Sequence, residues 1–152
     1  MKILLDTNVV LRIGQVTHPQ HSLVMMAIEQ LDVANHEACI VPQVLYEYWV
    51  VATRPVDVNG FGMDAQTADS SLEQFTRDVT LLRDVRGVFD RWRSLVTAHQ
   101  ILGKTAHDAR LVAAMLRHGM SHLLTFNFKD FTRYPGITAL DPAAVAAGQV
   151  PL

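Results

Sequence analysis

KILLDTN, residues 2–8, sets how the rest of the chain is read. A compact apolar run that closes on Asp6 reads as a short buried strand. Thr7 and Asn8, directly after it, are natural helix starters. The same alternation continues downstream. Apolar residues recur at helical spacing from Pro19 to Ala34, and Ala38 to Val41 reads as a second strand. Pro42 suits the first turn of a helix running to about Thr53, which stops before Arg54-Pro55. Residues 55–63, PVDVNGFGM, read as a loop. Asp64 to Arg77 is helical, residues 79–82 form a strand, and Val85 to His99 returns to helical spacing. Thr105 to Asp108 has capping-box spacing and opens a helix that ends at Gly119. HLLTF, residues 122–126, is the next strand, and Ile137 to Leu140 an edge strand. The Ala-rich tail after Pro142 carries no pattern. Strands alternating with helices predict an α/β fold, a mostly parallel central sheet covered on both faces.

A chain of 152 residues with 49% apolar content suits a single domain over residues 1–152. No apolar segment is long enough to span a membrane, and the N-terminus meets an acid at position 6, so a cytoplasmic protein is expected. The lone Cys39 allows no intrachain disulfide and no cysteine-based zinc site. A net charge of -2 gives no overall basic footprint for nucleic acid. Arg77, Arg83, Arg86, Arg91 and Arg93 do fall in one segment. Asp78, Asp84 and Asp90 are interleaved with them, which reads as a solvated helix face laced with ion pairs.

In parallel sheets, ligands bind beyond the carboxyl ends of the strands. Asp6 ends the first strand, and taken alone it is a turn former or helix N-cap. Glu47 lies inside YEYW, on a helix otherwise apolar from Val44 to Ala52, where an acid has few means of solvation. Asp108 doubles as the third member of the capping box. Asn127 and Asp130 follow HLLTF, in a loop that tolerates turn conformations. Together, three carboxylates and an Asn or Asp can converge on one rim. Several carboxylates cannot share a dry site without a cation, because like charges at close range force one to take a proton. All-oxygen ligands favour Mg²⁺ or Mn²⁺ over zinc or copper, and such ions serve phosphodiester hydrolysis.

LLDTNVVL, Glu47 within VLYEYWVVATRP, HDARLVAAMLRHG from residue 107 and LLTFNFKDF from residue 123 occur in the order and spacing of a known family. The chain resembles the PIN-domain ribonucleases and, among them, VapC-like toxins of bacterial toxin–antitoxin pairs. The resemblance runs from Lys2 to about Leu140. It implies a three-layer α/β/α sandwich and a Mg²⁺- or Mn²⁺-dependent endoribonuclease acting on RNA. Asp6, Glu47 and Asp108 match the first three acidic positions, and Asn127, Asp130 or both match the fourth. Thr7, Asn8 and Thr125 lie where similar proteins place polar residues that orient ligands or water. The resemblance also implies a small antitoxin partner and a homodimer. Two positions depart from the pattern: His107 precedes the third acid where Ala is common, and Asn127 stands where some relatives carry Asp. Arg12, Arg54, Lys104, Lys129 and Arg133 neighbour these motifs as RNA-contact candidates.

Other readings fit less well. Gly103-Lys104-Thr105 lacks the earlier glycine of a P-loop, since Ala98 occupies that position. A dehalogenase-type phosphatase needs a second acid where Asn8 stands. A receiver domain would show adjacent acids after the first strand, where only Asp6 occurs. His18 and His21 lack the partners and spacing of a zinc site. A catalytically inactive PIN fold that binds RNA or protein is the chief non-enzymatic alternative. Its weakness is that all the main acidic positions are occupied.

Overall fold

The computed structural model describes residues 1–152. Lys2–Leu5 forms β1, and Asp6 caps α1 (Thr7–Gly14) by accepting the Thr7 N–H at 2.7 Å. The chain continues through α2 (His21–Val33), β2 (Glu37–Ile40), α3 (Pro42–Thr53), α4 (Ala65–Asp78) and β3 (Thr80–Leu81). It then forms α5 (Val88–Ala98), α6 (Ala106–Arg117), β4 (His122–Leu124), β5 (Thr138–Leu140) and α7 (Pro142–Ala146). The strands are all parallel, in the order β3-β2-β1-β4-β5. Ile3, Leu4 and Leu5 are fully buried, as a central parallel strand covered on both faces requires. Ile3 lies opposite Ala38 on one side and His122 on the other.

From β1 the chain steps outward to β2 and β3, then crosses back over β1 to place β4 on its other side. Right-handed crossovers therefore put α1 to α4 on one face and α5 and α6 on the opposite face. The packing agrees, with α1 against α2 and α3, α3 against α4, and α5 against α6. The result is the expected α/β/α sandwich. No helix is long and apolar enough to cross a membrane.

Two local expectations are corrected, and one stretch on which the sequence was silent proves helical. Thr105 does not form a capping box. It sits in αR geometry at the end of a 3-10 turn (Gly103–Thr105), and its hydroxyl donates to the Leu102 carbonyl at 2.7 Å. The tail after Asp141 is structured. The Asp141 carboxylate accepts the Ala143 N–H, Pro142 starts α7, and the helix packs along α2 with Val145 buried. The arginine-rich segment is not laced with ion pairs. The single salt bridge of the molecule joins Arg110 to Asp84 at 3.1 Å, and none of the five arginines between 77 and 93 takes part. Within the loop after α3, Gly60 is required by contact: a Cβ there would lie 1.8 Å from the Arg54 carbonyl oxygen.

Candidate functional site

The strand order reverses beside β1, the place where open parallel sheets form a crevice at their carboxyl ends. Asp6 and Thr125 follow β1 and β4 at that crevice. The Asp6 N–H donates to the Leu124 carbonyl at 3.0 Å, extending the β1–β4 ladder into the rim. The Thr125 hydroxyl, fully buried, donates to Asp6 Oδ2 at 2.6 Å. Asn8 Nδ2 reaches both Asp6 Oδ2 (3.0 Å) and Thr125 Oγ1 (3.1 Å), while Asn8 Oδ1 accepts the Phe126 N–H. The Asn127 N–H donates to Thr125 Oγ1 at 3.0 Å. Asp6 is thus held by Thr7, Asn8 and Thr125, the three polar residues that the motifs single out.

Glu47 enters from α3. Its Oε2 accepts the Thr7 hydroxyl at 2.5 Å, and its Oε1 accepts Gln43 Nε2 at 2.8 Å. Gln43 was not foreseen from sequence, although it lies one helical turn before Glu47, the spacing that puts two side chains on one face. Gln43 is buried. It also donates to the His107 carbonyl at 2.9 Å and accepts Arg110 Nη1 at 3.0 Å, so it ties α3 to the first turn of α6. Arg110 extends this network to Asp84.

Asp108 stands in the first turn of α6, half-buried. Asp130 lies in a 3-10 turn (Phe128–Phe131) whose N-cap is Asn127, and both Asn127 and Asp130 are exposed. Neither Asp108 nor Asp130 accepts a protein hydrogen bond through its carboxylate, and the side-chain amide of Asn127 makes none, its backbone alone being engaged. Burial pushes the Asp6 carboxyl up to about 6; the Thr125 and Thr7 hydrogen bonds oppose the rise, and the negative charges of Glu47 and Asp108 add to it. Burial raises Asp108 as well, followed by the charges of Asp130 and then Glu47, with His107 and Arg133 opposing. The four carboxylates therefore form one electrostatic group, Asp130 acting on Asp108 and Glu47 on both Asp6 and Asp108.

As they stand, no three His, Cys, Asp or Glu side chains converge tightly enough to hold an ion. The donor set nevertheless suits a hard cation. It is all oxygen, it carries more negative charge than its own hydrogen bonds offset, and Asp108 and Asp130 have unshared lone pairs. Cys39 offers no competing nucleophile. It is buried in β2, and burial pushes its thiol up to about 11. A depression of about 820 Å³ lies where β2 and β3 begin, at the other end of the sheet, and includes none of these acids.

The RNA-contact candidates separate. Arg12 is engaged by Gln15 and Gln20, Arg54 has a buried Nε without a partner, and Arg133 acts on Asp108. Lys129 lines a hollow of about 390 Å³ with Asn127 and Asp130.

A family model described as the PIN domain matches residues 3–137, and the chain belongs to that family. Among solved structures it is similar to VapBC2 from Rickettsia felis bound to a promoter DNA fragment, with 19% identity, a TM-score of 0.69, and 92% of this chain and 98% of that chain covered. It is also similar to a toxin–antitoxin complex from Klebsiella pneumoniae, with 18% identity, 92% and 97% coverage and a TM-score of 0.57. A third neighbour is VapC20 from Mycobacterium tuberculosis, a toxin that cleaves the sarcin–ricin loop, with 16% identity, 97% and 96% coverage and a TM-score of 0.58. At these identities the likeness is one of fold. No curated protein sequence matches the chain.

Proposed function

We propose that this PIN-domain chain is a Mg²⁺- or Mn²⁺-dependent endoribonuclease and the toxin of a toxin–antitoxin pair. The reading is supported by four carboxylates, Asp6, Glu47, Asp108 and Asp130, near enough that the charges of the others help raise Asp6 and Asp108, in a donor set that is all oxygen. Asp6, Asp108 and Asp130 would hold the cation, with Glu47 binding it or orienting water and Asn127 holding water at the edge. A divalent cation bound there would make hydroxide available near neutral pH and offset charge gathering on the phosphate. Thr125, Asn8 and the Thr7 N–H keep Asp6 in one orientation, and Thr7 and Gln43 do the same for Glu47. The chain as a whole is read as one domain, since a single cluster of 31 buried residues spans Ile3 to Val145.

The toxin role is supported by neighbours that are toxins or toxin–antitoxin complexes. A small antitoxin would offer an Arg to the unshared carboxylates, and the chain would act as a homodimer in the cytoplasm. The test is cleavage of single-stranded RNA with Mn²⁺, with chelator, and by Asp108→Ala and Asp6→Asn. Wild type is expected to cleave only with metal, and each variant to fall by about 100-fold or more while keeping its fold. Cleavage that ignores both chelator and variants would overturn the reading.

A further inference from the structure

We propose that the hollow between α5 and the first turn of α6 receives an unpaired RNA base stacked on Phe89, with Arg93 on the adjoining phosphate. This rests on the ribonuclease reading above. The hollow measures about 390 Å³, and Phe89, Trp92, His107 and Arg110 line it. Its aromatic wall is fixed. Trp92 Nε1 donates to the Ala106 carbonyl at 2.9 Å, and the Phe89 ring lies 5.8 Å from the indole at an interplanar angle of 35°. Phe89 is nevertheless 63% exposed, so packing does not account for it.

Two observations favour a nucleotide over a protein segment. Arg93 follows Phe89 by one helical turn on the same face of α5, exposed and without a carboxylate partner. The one acid in the hollow, Asp84, is already taken by Arg110, whose guanidinium is held between Asp84 and Gln43. An exposed aromatic face beside an unpaired guanidinium is the arrangement that binds single-stranded nucleic acid, with stacking for the base and charge for the backbone. His107 lies in this hollow and directly precedes Asp108. The hollow and the third acid thus share the first turn of α6.

Binding of a short fluorescent single-stranded RNA by the full chain, in chelator so that nothing is cleaved, tests the inference apart from catalysis. Phe89→Ala is expected to weaken binding roughly 10-fold, the scale of one lost base–aromatic stack, and Phe89→Trp to retain it. Arg93→Ala is expected to reduce the slope of log K against log salt by about 0.7, whereas Phe89→Ala leaves that slope unchanged. Equal affinities of wild type and Phe89→Ala overturn the proposal. So does a Phe89→Ala variant that keeps its RNA affinity but changes oligomeric state, which would assign the hollow to a protein contact. Metal-dependent cleavage with no Phe89 effect leaves the nuclease standing and removes the base site. Phe89-dependent binding without cleavage does the reverse.

Discussion

Asp6 is a buried carboxylate with three donors and two acidic neighbours, and its titration has a definite sign. Its folded pKa, about 6, lies above the ordinary 3.8, so the folded chain keeps a proton that the unfolded chain releases between those values. The stability it contributes is complete below the lower value and is lost as pH rises through the upper one. In metal-free protein, denaturant unfolding at pH about 4 and about 7 should show wild type losing roughly 2–3 kcal/mol relative to Asp6→Asn across that span. A flat difference between the two proteins would refute the buried, repelled carboxylate. The sequence exposed Asp6 because an acid closing an apolar strand is conspicuous. Its partners Thr125 and Asn8 were legible only through family motifs, since nothing in spacing brings residue 125 to residue 6. Gln43 stayed hidden for another reason: a glutamine on a mostly apolar helix looks like a surface residue until the packing shows it buried.

Helices and strands were readable because apolar periodicity is local, and each predicted element is present with its ends moved by a few residues. The failures are local as well. Thr105 has capping-box spacing, but the 3-10 turn before it commits its hydroxyl to Leu102. The Ala-rich tail has no amphipathic stripe, and α7 forms because Asp141 and Pro142 start it and α2 offers a surface to pack on. The unpaired arginines around α5 show that interleaved signs along a sequence do not guarantee pairs in space. Between elements, Gln43 is the tie that sets α3 against α6. Gln43→Leu should raise the Mn²⁺ concentration for half-maximal cleavage by about 10–100-fold, the usual loss when support for metal ligands is removed. Circular dichroism should remain that of wild type, and an unchanged Mn²⁺ requirement would make Gln43 a packing residue only.

Across the whole molecule, the carboxylates belong to elements that the sheet and its two helical layers hold together. A cation shared among them would cross-link α1, α3, α6 and the turn after β4. Mn²⁺ at about a hundredfold excess over its Kd should raise Tm by roughly 5–10 °C, and the gain should vanish in Asp108→Ala. An identical rise in the variant would place the ion elsewhere. Strand order has a consequence in time as well. β1 is central, yet one of its two neighbours is β4, so Leu5 must wait for Leu124 to find its partner. Contacts this distant along the chain close late and slow folding. During synthesis Asp6 emerges first and remains without Thr125 until nearly the whole chain has been made. A nascent chain is therefore unable to assemble its acidic crevice while still short, and the crevice is complete only once β4 docks beside β1.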